Sequence, residues 1–331
     1  MTPKNLKTFL KVCLKNKFNI LITGQPGIGK SDIVEQTAKE ENYDLIITHP
    51  VVSDPTDYKG MPFIVDGEAL FLPFNDLKRL IEAKVPTICF IDDLGQAMPS
   101  VQASVMQLLL ARKINNTSIS DNVVFIAATN RKEDRAGVSG LLEPVKSRFT
   151  SIIELEVSSE DWCEWALERN IPLSLISFIK YKPTLLSKFM PTNSLINSPS
   201  PRTVANVGKL MMTDLPEECL KEAIKGAVGE AFTIEFFSFL EIRDNLPRIE
   251  EIVLSPLTVK VPDEVSIKYS LLGYILENIT DNNIESLLMY VERLGSEFEA
   301  IFLFMLTKGK PNVQKSPQFI NWVIKNHKTL W

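Results

Sequence analysis

The sequence predicts an α/β fold: a parallel β-sheet between two layers of helices, followed by a region built of helices alone. Three observations carry this. The stretch Gly24-Gln25-Pro26-Gly27-Ile28-Gly29-Lys30-Ser31 fits G-x-x-x-x-G-K-[ST], a loop that cradles phosphate between a strand and a helix. Apolar runs occur at 45–52, 86–93 and 123–130, the last two ending in polar residues, with helical stretches between them, the alternation of a parallel sheet. After Val157 no further convincing buried strand appears, and the periodicity is helical.

Composition narrows the class. A chain of 331 residues has room for two domains, or three small ones, at roughly 100–200 residues each. At 45% hydrophobic and 23% charged residues it reads as an ordinary globular protein. No run of about 18 apolar residues exists, so no membrane span is expected, and residues 1–7 lack the apolar core of a signal peptide. Cys13, Cys89, Cys163 and Cys219 are scattered, with no CxxC pair or metal spacing; free, mostly buried thiols and a cytoplasmic location are expected. With His49 and His327 the only histidines, a histidine-rich metal site is excluded. The net charge of −5 argues mildly against non-specific nucleic-acid binding.

In chain order, residues 5–17 are amphipathic, with Leu6, Phe9, Leu10, Cys13 and Leu14 on one side of a helix. Residues 18–23 form a short buried strand, and 31–41 a helix with Ile33, Val34, Thr37 and Ala38 on one face. Between them the glycines let backbone N–H groups turn inward around a phosphate, and the helix N-terminus adds partial positive charge. Lys30 reaches the β- and γ-phosphates and Ser31 ligates Mg²⁺, so the loop is expected to bind a nucleoside triphosphate, ATP above all. The nucleotide-contacting set runs through Gly24, Gln25, Pro26, Gly27, Ile28, Gly29, Lys30, Ser31 and Asp32.

Residues 45–52 read as a strand buried on both faces. A turn-rich loop, 53–62, leads to a hairpin over 63–72 around Asp66-Gly67, an insertion of about 53–74 in the alternation: a surface ornament or a face for a partner or pore. A helix over 75–83 precedes the run Ile88-Cys89-Phe90-Ile91-Asp92-Asp93. Asp92, at the strand end, is placed to hold the Mg²⁺ shell, and Asp93 to orient the attacking water. Residues 99–112 form a helix and 113–122 a polar loop or small hairpin. The strand 123–130 ends in Asn130, a neutral amide placed to hold a water near the γ-phosphate. A fourth strand follows at 151–157. Helices are then expected from 158 to 169, over 172–189, 201–213 and 216–243, with a looser proline-marked linker at 247–262. Four more segments are expected near 264–279, 281–293, 296–306 and 316–327.

The order of these parts resembles an AAA+ ATPase, most closely the short MoxR-type ATPases of bacteria and phages. Ile91-Asp92-Asp93-Leu94-Gly95-Gln96-Ala97, Ala127-Ala128-Thr129-Asn130-Arg131 and Leu141-Leu142-Glu143-Pro144-Val145-Lys146-Ser147-Arg148-Phe149 carry most of the likeness, which spans about residues 5–245. The resemblance implies an AAA+ core at 1–157, a helical lid at 158–245 and a C-terminal helical region at 246–331. It makes Gly24 to Ser31 the Walker A loop, Asp92-Asp93 the Walker B pair and Asn130 sensor 1. Arg148 becomes the arginine finger acting on a neighbour's nucleotide, and Arg202 the sensor 2 arginine, with Arg131 and Arg135 as secondary finger candidates. The family usually has Glu after the Walker B Asp; Asp93 is one methylene shorter, about 1.5 Å of reach. That bears on the speed of hydrolysis, not on binding.

The resemblance also implies a Mg²⁺-dependent ATPase assembled as a homo-oligomeric, six-membered ring. Such rings remodel proteins with a partner carrying a von Willebrand factor A domain. The alternative is a DNA-associated AAA+ ATPase of the clamp-loader, initiator or helicase-loader type, which calls for a clustered basic face. A small-molecule kinase has no use for a finger in trans or a long helical lid.

Overall fold

A computed structural model of the chain describes residues 1–114, 117–134, 140–189 and 195–326. The chain divides into two compact units, Met1–Val157 and Ser158–Trp331.

The first unit follows the predicted alternation. Helix α1 (Pro3–Lys15) precedes β1 (Ile20–Thr23), the phosphate loop and α2 (Lys30–Glu41), then β2 (Asp44–Thr48). A short helix α3 (Pro55–Lys59) leads to the hairpin β3 (Met61–Val65) and β4 (Glu68–Leu72), then α4 (Asn75–Glu82), β5 (Thr87–Ile91) and α5 (Pro99–Ala111). A small hairpin, β6 (Lys113–Ile114) and β7 (Thr117–Ser118), precedes β8 (Val123–Thr129), α6 (Glu143–Lys146) and β9 (Ser151–Glu154). The five strands of the main sheet pair in the order β2-β5-β8-β1-β9, all parallel.

Strand residues alternate sides, so each strand feeds two cores. Leu21, Cys89, Ile91, Phe125 and Ala127 pack on one face with Val101, Val105 and Leu108 of α5. Ile20, Ile22, Phe90, Val124 and Ile126 pack on the other with Leu6 and Leu10 of α1 and Ile33 and Val34 of α2. With helices on both faces, the inner strands β5 and β8 are buried at every residue, as a central parallel strand must be.

Several expectations are corrected. The strand expected to 52 stops at Thr48, because Pro50 has no N–H to give the ladder and opens a 3₁₀ turn, Pro50–Val52. β2 is also an edge strand, buried at Ile46 alone, rather than covered on both faces. The loop at 53–62 contains α3, closed by a capping box between Asp54 and Asp57. The fourth strand ends at Glu154. A hairpin is present around the expected turn, but it begins at Met61, two residues earlier than expected; Asp66 (φ 53°) and Gly67 (φ 85°) form the left-handed pair that a two-residue turn needs. All ten of its strand residues are exposed, Phe63, Ile64, Leu70 and Phe71 among them.

The second unit is helical among its described residues: α7 (Ser159–Glu168), α8 (Leu173–Tyr181), α9 (Pro201–Met211), α10 (Glu217–Val228), α11 (Glu230–Glu241), α12 (Ile249–Leu254), α13 (Val265–Asn278), α14 (Ile284–Glu292), α15 (Ser296–Gly309) and α16 (Pro317–Asn326). Phe178 of α8 sits against Phe232, Phe236 and Phe239 of α11, with ring centroids 5.1–5.4 Å apart. Here too local signals redraw the expected boundaries. The helix expected at 172–189 ends at Tyr181, since Pro183 bars helical geometry at Lys182. The helix expected at 216–243 is two helices that break at Gly229. The stretch expected as a linker holds α12.

No described helix is long and apolar enough to cross a membrane. All four cysteines are free; Cys13, Cys89 and Cys163 are buried and Cys219 is exposed. Burial pushes the Cys89 and Cys163 thiols up to about 12, so neither offers thiolate at neutral pH. A thiol reagent applied to the folded chain is therefore expected to modify Cys219 first and Cys89 and Cys163 only on unfolding. Equal labelling rates at all four sites, followed by intact mass, would contradict this core.

Candidate active site

The site lies where β1, β5 and β8 end. The chain leaves β1 at Thr23, turns through Gly24 to Gly29 and enters α2 at Lys30. Gly29 is the residue before the helix, at φ +102°, a conformation that strains any other residue; it offers no side-chain cap. The first turn of α2 thus takes no cap from the residue before it, and a helix N-terminus of this kind suits an anion. A Cβ at Gly24 would come 3.1 Å from the carbonyl oxygen of Leu155, so the loop packs closely on the residue after β9. Gln25 and Ile28 are buried within the loop, and Asp32 stands in the first turn of α2.

Five of the expected side chains meet here. Lys30, itself buried, donates from Nζ to the carbonyl oxygens of Gly24 (2.9 Å) and Gln25 (3.1 Å) and to Oδ1 of Asn130 (2.7 Å). Asn130 donates from Nδ2 to Oδ1 of Asp93 at 3.1 Å. Its amide thus faces an ammonium with oxygen and a carboxylate with nitrogen, the orientation that satisfies both. Ser31 Oγ donates to Oδ2 of Asp92 at 2.7 Å, and the Asp93 N–H donates to Oδ1 of Asp92 at 3.0 Å. Asp93 has left-handed backbone geometry (φ 54°, ψ 34°), which aspartate tolerates better than most residues.

Chemically, a buried ammonium beside a helix N-terminus suits phosphate oxygens. The hydroxyl of Ser31 and carboxylate of Asp92 are hard oxygen donors 2.7 Å apart, suited to Mg²⁺. Asp93 adds a second carboxylate held by a neutral amide, where a water could be oriented.

The arginines divide. Arg131 is engaged on all three guanidinium nitrogens: Nε and Nη2 donate to Asp134 (3.0 and 2.9 Å) and Nη1 to Glu154 (3.1 Å). Asp134 foremost, with Glu154 and Glu133, holds this guanidinium charged well above its ordinary range. Arg148 follows α6 and is half-buried; its Nη1 donates to Ser147 Oγ at 3.3 Å, while its buried Nε has no hydrogen-bond partner among the described residues. Arg202 is exposed at the start of α9, behind a capping box of Ser200 and Thr203, in the second unit. Arg135 lies outside the described residues. Sequence reasoning missed the carboxylate partners of Arg131; Asp134, three residues on, was a readable signal, and Glu154, on another strand, was not.

Residues 20–157 match the model of the ATPase family associated with various cellular activities (AAA). The proteasome-activating nucleotidase of Saccharolobus solfataricus is 29% identical over 196 residues, 53% of this chain and 46% of that protein. The Holliday junction branch migration complex subunit RuvB of Phytoplasma mali is 25% identical over 208 residues, 57% of this chain and 55% of that one. The chain thus spans about half the length of the curated relatives it matches. Among solved structures, the Holliday junction branch migration motor RuvB of Thermotoga maritima overlaps 78% of this chain and 75% of its own, at 16% identity and a TM-score of 0.41.

Proposed function

We propose, from the AAA ATPase domain that residues 20–157 form, that the chain is a Mg²⁺-dependent ATPase that remodels another macromolecule. The observation that carries this is the hydrogen-bonded line Lys30–Asn130–Asp93 beside the Ser31–Asp92 pair. It brings the phosphate-loop cation, the metal-side acid, the strand-end amide and the water-side carboxylate to one place. In this reading Gly24 to Asp32 cradle ATP, Ser31 and Asp92 hold Mg²⁺, and Asp93 and Asn130 orient the attacking water. Mg²⁺, when bound, neutralises phosphate charge. Arg148 is the finger given to a neighbouring subunit, and Arg202 a contribution of the second unit.

The finer reading is a MoxR-type motor in a six-membered ring, working with a von Willebrand factor A domain protein on a protein substrate. The relative named as a proteasome-activating nucleotidase supports protein rather than nucleic acid as the object acted on. The exposed apolar hairpin β3–β4 is the face we assign to that partner or to the ring's pore. A second reading, a DNA-associated ATPase, is favoured by the RuvB relative and opposed by the net charge of −5. ATPase assays with and without branched duplex DNA separate them: stimulation by DNA, lost at high salt, favours the second.

The phosphate site itself is tested at Lys30. A charge-assisted hydrogen bond contributes about 1.5–3 kcal/mol, so Lys30→Ala is expected to weaken ATP binding by about tenfold to a hundredfold. Titration calorimetry reads this directly; wild-type affinity in the variant would remove the basis of the proposal.

A further inference from the structure

We infer that Arg131 is a positioning residue: by fastening the end of β8 to the end of β9 across the phosphate-loop strand, it holds Asn130 in line with Lys30 and Asp93. The inference rests on the reading of Asn130 as part of the ATP-hydrolysing site. With all three guanidinium nitrogens on carboxylates, Arg131 acts in this inference through Asn130 rather than on nucleotide.

β1 lies between β8 and β9; Thr23 is paired with Thr129 on one side and Glu154 on the other. Asn130 and Arg131 follow Thr129 directly, and Gly24 follows Thr23. β8 and β9 are therefore two strand spacings apart, roughly 9–10 Å, with the mouth of the phosphate loop between them. The Nη1 bond from Arg131 to Glu154 crosses that interval at 3.1 Å. Its Nε and Nη2 grip Asp134 as a fork, and the Asp134 N–H returns to the Arg131 carbonyl at 3.3 Å. The peptide after Asn130 is thus pinned on one side to a tight turn and on the other to β9.

Asn130 is the side chain this clamp steadies. Its two amide ends are committed in opposite directions, to Lys30 at 2.7 Å and to Asp93 at 3.1 Å, so rotation or drift of the strand end breaks one or both. Asp134 is buried, and Arg131 is the cation paired with it. Removing Arg131 outright leaves that carboxylate uncompensated and risks misfolding. Milder changes isolate the effect. Arg131→Lys keeps the charge but cannot make the fork and the cross-strand bond together. Glu154→Gln acts at an exposed side chain, and it weakens the far anchor while leaving the fork intact.

The experiment measures kcat and KM for ATP, with melting temperature, for Arg131→Lys, Glu154→Gln, their double variant and Asn130→Ala. Misplacement by about 1 Å can cost a hundredfold, and a loosened anchor is expected to cost roughly tenfold in kcat. KM should stay within about twofold, because the phosphate cradle is untouched, and melting should be little changed for Glu154→Gln. The double variant should lose little more than the worse single one, since both cut one clamp. If Asn130→Ala cripples hydrolysis while Arg131→Lys and Glu154→Gln leave kcat at the wild-type value, the positioning role is wrong and the site reading stands. If Asn130→Ala itself leaves hydrolysis unchanged, the site reading has failed. A loss confined to Arg131→Lys, with Glu154→Gln silent and activity restored in mixed assemblies, would make Arg131 a finger and overturn the inference.

Discussion

Asp93→Asn is expected to keep ATP bound while lowering its hydrolysis about 10²–10⁴-fold, the range that a positioned proton acceptor contributes. The amide would retain the size of Asp93, but it has no charge with which to draw a proton from water. It would also present an amide to the Nδ2 of Asn130, which now donates to Oδ1 of Asp93 at 3.1 Å. Single-turnover hydrolysis beside nucleotide-binding titration separates the two effects, and wild-type turnover in Asp93→Asn would show that another group orients the water. Asp93→Glu asks a different question. The family resemblance leads one to expect Glu here, yet the residue's backbone is left-handed at φ 54° and ψ 34°. Aspartate tolerates that region, whereas a longer side chain pays about 1–2 kcal/mol there. The shorter acid is therefore matched to its backbone. Asp93→Glu is expected to hydrolyse ATP within a few-fold of wild type and to melt about 2–4 °C lower for each kcal/mol of strain.

The parts of this site legible in the sequence are those fixed by local chemistry. A phosphate loop must carry its glycines and lysine in order, and an apolar run that stops at Asp92-Asp93 or Asn130 marks the end of a strand. The parallel topology then brings those ends together, as the 2.7 Å contact between Lys30 and Asn130, one hundred residues apart, records. Strand order was not legible. The run at 45–52 reads as doubly buried because its residues are apolar, but burial depends on neighbours, and β2 has a strand on one side only. In the second unit the errors had local signals that periodicity outweighed: Gly229 between two apolar helical stretches, and Pro183 after Tyr181. The tie from Arg131 to Glu154 joins residues on different strands, and nothing at either position announces the other.

Arg148→Ala is expected to leave ATP binding intact in each chain and to lower hydrolysis by about 10³–10⁵, the worth of an arginine finger. Two features support a role in another subunit. The Nε of Arg148 is buried without a hydrogen-bond partner among the described residues, a cost that a purely structural arginine would normally avoid. The second is the direction of β9. The chain enters β9 just after Arg148, with the Thr150 N–H on the carbonyl of Asn19 at 2.8 Å and Ser151 paired with Ile20. That is the amino end of β1, whereas the phosphate loop leaves its carboxyl end after Thr23. Four residues at about 3.3 Å each put some 13 Å of strand between the two ends, so within two residues of Arg148 the chain has reached the end of β1 away from its own loop. Mixing tests this. Arg148→Ala keeps its phosphate site and lacks the finger; Lys30→Ala keeps the finger and lacks the site's cation. Each alone should be nearly inactive. In a mixed assembly, an intact phosphate site meets an intact finger wherever the two variants adjoin in the right order, and hydrolysis should partly return. A finger working within its own chain cannot be rescued this way, because neither chain holds both groups. No recovery in assemblies verified as mixed by native mass, or full activity of Arg148→Ala alone, rules out a trans-acting Arg148.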